Sequence, residues 1–409
     1  MRILLITSTY PRFRGDGAGS FIHSISEKLL DRGHELYVIA PDNHQSQSQW
    51  QNKVCVDRIR YIWPKKLARL GHGESLRSDT YLKWYSYILV SLFSLFALVR
   101  IVTNPVYRRV DVIYAHWLLP GGLIGALISR LLKIPLVIHL HGSDIFVSER
   151  YKIFRPLVMY TIHSVSKIIA CSKDLADRVK NLGAKDVQVI PYGVDVDLFL
   201  PDRNTLKKGA SGIAEPKYVT AIGRLVNKKG FNYLIMAAEE IVKVYPQCKI
   251  QIVGDGDQRD ELVKLSDSLK LRENVVFLGN IPWSKIPDVM NKTDVFVLPS
   301  IIDDRGNVDG LPVVLLEAMS SGCAVVASKI GGVPDVIVDR VNGILVEPRN
   351  YRQLAEAIIS LLLDDEYRNK LGRSAREEVE ANYTWDVIVK RIEMVLEEST
   401  IVAARSCSG

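Results

Sequence analysis

The chain has 409 residues, more than one hydrophobic core usually organises, so two domains are expected. Hydrophobic residues make up 47% and charged residues 24%, a balance that excludes a disordered or fibrous chain. The net charge of +7 is concentrated, because between Lys53 and Arg109 eleven Lys and Arg face only Asp57, Glu74 and Asp79.

That basic patch over 53–109 suits phosphate-rich partners or an anionic membrane surface. It lacks the aromatic-basic interleaving of an RNA-binding sheet, so nucleic acid is not the expected partner. Cys55, Cys171, Cys248, Cys323 and Cys407 are odd in number, scattered and never paired as CxxC. They fit a reducing cytosol better than a disulfide scaffold or a zinc ribbon. The opening Met1-Arg-Ile-Leu-Leu-Ile-Thr7 reads as a first strand, not as a signal peptide. A cytoplasmic protein is expected, with the possibility of peripheral attachment to the inner face of the membrane.

Short apolar runs rich in Val and Ile alternate with helix-period segments along the chain. In the first half strands are predicted over 3–6, 36–39, 112–114, 136–140, 168–170 and 187–190. The second half adds 218–222, 250–253, 275–278, 295–298, 324–327 and 344–346. Continuously apolar strands separated by helices are the signature of buried parallel strands in βαβ units. Two such series predict an α/β protein of two doubly wound domains, with ligands beyond the carboxyl ends of the strands. The seam falls near 201–216, where Asp, Asn, Lys, Gly, Ser and Pro replace the apolar rhythm. The stretch 84–99 is uncharged and bracketed by Lys83 and Arg100. Its sixteen residues fall short of the ~20 of a bilayer span, which favours a core helix, then an interfacial helix with a cationic collar, over a true span. Helices over 353–363, 366–381 and 385–397 follow the last strand, and the tail 403–409 is expected to fray.

Four loops after strands could carry chemistry. Asp303-Asp-Arg-Gly-Asn-Val-Asp-Gly-Leu-Pro312 runs into an apolar helix, whose first-turn amides favour an anionic or hydroxyl-rich ligand. Asp309 precedes that helix and Glu317 lies inside it, where a carboxylate needs partners. Alternatively Asp309 caps the helix and Glu317 faces water. In Gly223-Arg-Leu-Val-Asn-Lys-Lys-Gly230, Arg224 and Lys229 are placed to converge on an anion; no Walker loop is present. Gly15, Gly17 and Gly19 follow the first strand and allow close backbone approach to a phosphate. His139-Leu-His-Gly-Ser-Asp144 ends a buried strand, putting His139 and His141 on one face; a metal pair is conceivable, but no third ligand is evident. His116-Trp117 could line the same cleft or simply pack.

Together these segments resemble the family-four retaining glycosyltransferases of the GT-B fold, of the group 1 type that builds envelope and capsular polysaccharide. The match also includes Gly33-His-Glu35, Ile190-Pro-Tyr-Gly-Val-Asp195, Val253-Gly-Asp-Gly256, Phe277-Leu-Gly279, Pro299-Ser300 and Glu317-Ala-Met-Ser-Ser-Gly322. The resemblance implies two Rossmann-like domains facing a central cleft. An acceptor-binding domain would span 1–200 and a nucleotide-sugar domain 201–384, with a helix over 385–400 packing back on the first. The family's Glu-x7-Glu pair falls on Asp309 and Glu317, with the shorter Asp at the first position. By resemblance Glu317 binds the ribose, Arg224 and Lys229 hold the diphosphate, and Gly17 lets the first loop close over it. His141 and Asp309 would contact the donor sugar, as would the amides of Gly310 and Leu311. The implied reaction is metal-independent, cofactor-free hexose transfer, with retention, from a nucleotide-diphosphate sugar. The acceptor would be a lipid-linked or polysaccharide precursor at the cytoplasmic membrane face. An epimerase or phosphorylase on the same architecture, or a non-catalytic sugar-nucleotide-binding module, is the alternative.

Overall fold

A computed structural model describes residues 1–13, 15–47, 54–71, 76–78, 81–142, 145, 152–201 and 216–407. Most of the 201–216 seam, and Asp144, lie outside the described residues. The chain divides into two compact units, Met1–Tyr192 with Trp385–Gly409, and Gly193–Thr384.

The first unit is built on a seven-stranded sheet. Its strands are β1 (Arg2–Ile6), β2 (Glu35–Pro41), β3 (Cys55–Ile59), β6 (Val112–His116), β7 (Leu136–Leu140), β8 (Lys167–Ala170) and β9 (Val187–Val189). A separate antiparallel pair, β4 (Leu76–Ser78) and β5 (Tyr81–Leu82), lies between β3 and β6 in the chain. The sheet order is β3-β2-β1-β6-β7-β8-β9, every pairing parallel. Every residue of β6 and β7 is buried, which is why both read as unbroken apolar runs. The order reverses between β1 and β6, and the crevice at such a switch point is where open α/β sheets bind ligands. Helices α1 (Ser20–Asp31), α2 (Trp84–Thr103), α3 (Leu123–Leu132), α4 (Arg155–His163) and α5 (Lys173–Asn181) cover the sheet.

One sequence expectation needs correction here. Helix α2 has 20 residues, not sixteen, because Arg100 does not end it. The Arg100 guanidinium lies outside the core and donates to Asp57 Oδ2 at 2.7 Å, so the charge sits comfortably within the last turn. One stripe, Ser86, Leu89, Phe93, Ala97 and Ile101, is buried, whereas Trp84, Ile88, Leu95, Phe96 and Val99 are exposed. The helix is long and apolar enough to cross a membrane, with 28% of its apolar window buried inside the protein. The last helix runs Trp385–Cys407. It packs on α1 and places Ile388, Val389, Ile392, Val395 and Leu396 in the core of the first unit. Lys28–Asp386 at 2.9 Å and His34–Glu393 at 2.7 Å tie it down further.

The second unit holds a six-stranded parallel sheet of order β12-β11-β10-β13-β14-β15. The strands are β10 (Tyr218–Ile222), β11 (Lys249–Val253), β12 (Val275–Gly279), β13 (Val295–Leu298), β14 (Ala324–Ser328) and β15 (Ile344–Val346). Helices α6 (Phe231–Val244), α7 (Arg259–Ser268), α8 (Ile286–Met290), α9 (Val313–Ser320), α10 (Tyr351–Leu363) and α11 (Asp365–Asn382) accompany it. Its order reverses between β10 and β13, a second switch point. Both units are doubly wound parallel-sheet α/β folds, as the alternating runs predict.

Candidate functional site

In the second unit the chain leaves β10 at Gly223-Arg224-Leu225 and is pinned at once. The Gly223 amide donates to Val253 and the Leu225 amide to Asp255, at 2.9 and 3.0 Å. A Cβ on Gly254 would run into the Gly223 carbonyl, so the Val253-Gly-Asp-Gly256 run serves this close approach of two loops. A 3-10 turn at Asn227–Lys229 then leads to Gly230, whose φ of 65° and contact with the Pro299 carbonyl admit no side chain. That contact lays the start of α6 against the end of β13.

The lysines of this turn reach the loop that follows β13. Lys228 Nζ is 3.0 Å from Asp309 Oδ1 and Lys229 Nζ is 2.6 Å from Oδ2, with all three side chains at most 14% exposed. Burial alone would push the Asp309 carboxyl up. The ammoniums of Lys229 and Lys228 outweigh it and hold the group well below the usual carboxylate range. Asp309 therefore does not cap α9: Pro312 stands at the cap and no side chain accepts there. Neither the Gly310 nor the Leu311 amide donates a hydrogen bond among the described residues, so both can meet a ligand. Arg224 begins the same loop as the lysines.

Glu317 lies in α9 and is 7% exposed. Its Oε1 accepts from Trp283 Nε1 at 2.8 Å, and the indole meets Phe199 edge-on at 5.9 Å. Burial pushes the carboxyl up to about 7 against the pull of that hydrogen bond. The alternative of a water-facing Glu317 is thereby excluded. Sequence reasoning did not single out Trp283 or Lys228; a tryptophan in a short loop after a strand was the available signal for the first.

In the first unit, His116 at the end of β6 lies beside His139 in the register of β7. His141 follows one residue past that strand. His116 Nδ1 is 2.9 Å from His141 Nε2, and His141 Nδ1 is 2.8 Å from the Tyr192 hydroxyl. Tyr114 Oη approaches His139 Nδ1 at 2.7 Å. Burial drives all three imidazoles down, His139 to about 3 and the other two well below their ordinary value, so the row is neutral. His116 supplies the third ligand that the sequence reading did not find, and the three residues bring donor atoms within 4.8 Å of one another. Both nitrogens of His141 are engaged, however; those without a hydrogen-bond partner among the described residues are Nε2 of His116 and Nε2 of His139. Three-fold coordination would have to open one of the two hydrogen bonds of His141, to His116 or to Tyr192. Trp117 and Phe21 each lie 4.8 Å from the His141 ring. Gly17 sits in the exposed loop before α1, where a Cβ would meet nothing within 4 Å. That loop is braced by Arg12 donating to Asp16 at 2.7 Å.

Comparison with known proteins bears on both constellations. Residues 15–198 match the family Glycosyltransferase Family 4, and residues 203–378 match Glycosyl transferases group 1. A putative teichuronic acid biosynthesis glycosyltransferase, TuaC of Bacillus subtilis, is 26% identical over 94% of this chain and 95% of its own length. A GDP-mannose-dependent alpha-(1-6)-phosphatidylinositol monomannoside mannosyltransferase of Mycolicibacterium smegmatis is also 26% identical, with the same coverage. Among solved structures, Anabaena Alr3699/HepE in complex with UDP superposes with a TM-score of 0.72. The two share 22% identity over 97% of this chain and all of that one, a likeness of GT-B fold.

Proposed function

Because the chain belongs to the group 1, family 4 glycosyltransferases, enzymes that use nucleotide sugars, we propose that it moves a hexose from a nucleotide-diphosphate sugar to a hydroxyl of a lipid-linked or polysaccharide-precursor acceptor. The observation that carries this reading is the cationic turn Lys228–Lys229, beside Arg224 and the unengaged amides of Gly310 and Leu311. A departing nucleoside diphosphate develops negative charge, and preorganised cations and amides stabilise it without reorganising at the moment of reaction. Lys229 would exchange Asp309 for phosphate, or share itself between them. Glu317 would take the ribose hydroxyls, Asp309 and His141 the donor sugar, and Gly17 the closing of the first loop. No metal or cofactor is required in this scheme. Transfer would proceed on the face the nucleotide leaves, with retention, the leaving phosphate accepting the acceptor's proton.

The test is product analysis. Purified protein is incubated with UDP-, GDP- and ADP-hexoses and with lipid extract from bacterial membranes, following nucleotide release and sugar incorporation. One donor should give acceptor-dependent release and a product of unchanged anomeric configuration by NMR. Inverted product would remove the retaining mechanism. Interconversion of the nucleotide sugar without acceptor would favour the epimerase. Chelation of divalent ions should leave the rate within about two-fold, and loss of activity would overturn the metal-free scheme.

A membrane location is supported by the exposed apolar stripe of α2 beside Lys83, Arg108 and Arg109. The relative named for a phosphatidylinositol mannoside acts on a lipid-linked sugar. In vesicle flotation the wild type should travel with phosphatidylglycerol-containing vesicles and stay behind with neutral ones. Trp84→Ala/Leu95→Ser should lose most of that binding and keep its activity on a soluble acceptor. A wild type that ignores anionic vesicles would remove the membrane part of the proposal.

A further inference from the structure

Trp117 has a backbone that its side chain should resist. Its φ of 63° and ψ of 148° lie in a region nearly reserved for glycine, a conformation costing on the order of 1–3 kcal/mol. Both of its peptide groups are fixed: its amide donates to the His139 carbonyl at 3.0 Å, and its carbonyl accepts from Gly122 at 2.8 Å. The result turns the indole out of the buried layer to which all of β6 belongs and sets it against His141 at 59°. Phe21, in the first turn of α1, meets the same imidazole from 4.8 Å and lies 6.3 Å from Trp117 and 5.1 Å from Tyr192. Both aromatics are only partly buried, each with one side on the core of the first unit.

We propose that Trp117 and Phe21 form a stacking platform for one pyranose ring, a hydroxyl of which exchanges into the hydrogen bonds of His141, the partly buried imidazole beside it. A pyranose has an apolar face of axial C–H groups and a rim of hydroxyls, so it needs an aromatic face next to uncharged polar atoms. That pair of features is what this corner offers, and ligand sites are commonly aromatic surfaces with a few placed polar groups. The strained backbone at Trp117 is what turns the ring toward His141. A mere lid over the histidines would need bulk without an aromatic face. The inference rests on the chain acting on sugars as proposed above, and the ring could come from the donor or from the acceptor.

Wild type, Trp117→Leu, Trp117→Phe and Phe21→Leu are compared, each first shown to melt within about 3 °C of wild type. Saturation-transfer NMR with methyl α-glucoside, α-galactoside and α-mannoside reads binding directly; nucleotide release is measured with and without membrane-lipid acceptor. Trp117→Leu is expected to lose about ten-fold in binding or in rate, Phe21→Leu to lose less, and Trp117→Phe to stay within about three-fold. A loss present without acceptor assigns the ring to the donor; one confined to transfer, with a raised acceptor KM, assigns it to the acceptor. Trp117→Leu matching wild type in both assays overturns the platform, as do equal losses in Leu and Phe. A wild type that releases no nucleotide but binds a methyl hexoside through Trp117 sinks the transferase reading alone. Neither activity in the wild type sinks both.

Discussion

At pH 8, Glu317→Gln is expected to melt about 5 °C above the wild type, and to turn donor over at least ten-fold more slowly. Burial raises the Glu317 carboxyl from an ordinary 4.5 to about 7. A carboxyl that binds its proton more tightly in the folded protein stabilises the fold less as pH climbs. The loss begins near the unfolded pKa, grows to about pH 7 and is complete above it. Each pKa unit is worth about 1.4 kcal/mol, so the ionised group costs roughly 3 kcal/mol at pH 8. Gln keeps an oxygen for Trp283 and titrates nowhere, so it escapes that cost. At pH 4.5 the two proteins should melt together. The activity loss follows from replacing a carboxylate by a neutral amide opposite hydroxyl groups, since hydrogen bonds to charged acceptors are about twice as strong. Equal melting at pH 8 would mean that Glu317 ionises without penalty in water, and would sink the linkage argument.

The second large effect concerns nucleotide binding. Against a panel of UDP, GDP, ADP, dTDP and CDP, one nucleotide at 100 times its dissociation constant should stabilise the wild type by roughly 2.7 kcal/mol. Several degrees of melting shift should follow. In Arg224→Ala/Lys229→Ala the shift should fall below about 1 °C at the same concentration, because truncating two charge partners weakens binding by 100-fold or more. The baseline of the variant will also move, because Asp309 keeps only Lys228, so the shift and not the melting point is compared. Equal shifts in both proteins would place the diphosphate elsewhere. No shift with any nucleotide would remove the donor reading from these residues.

What was legible in the sequence follows from burial. Strands such as β7 and β13, buried along their whole length, announce themselves as apolar runs whose bounds match the structure. Strand β3 does not: it is an edge strand and carries Asp57 and Arg58, so it shows no such run. Asp57 is satisfied from afar by Arg100 and Tyr107, which also conceals the true end of α2. In the candidate site, loop position was readable and partnership was not. Nothing local says that Lys229 meets a residue 80 positions on, that His116 bonds to His141 across two strands, or that Trp283 reaches Glu317. Such pairings depend on strand order, which periodicity does not encode.

The path of the chain sets an order of folding during synthesis. Unit one begins at Met1 but owns the helix Trp385–Cys407, whose apolar side chains are part of its core. Between them lies the whole second unit, Gly193–Thr384, whose two ends are stitched together where Val194 bridges Thr384 and bonds to Tyr383 at 2.9 Å. At about 5–20 residues per second a ribosome needs roughly 10–40 s to make that insert. For all of that time the first sheet stands with the face meant for its last helix uncovered, an opening for chaperones that the second unit never presents. The part of the chain made first is the part finished last.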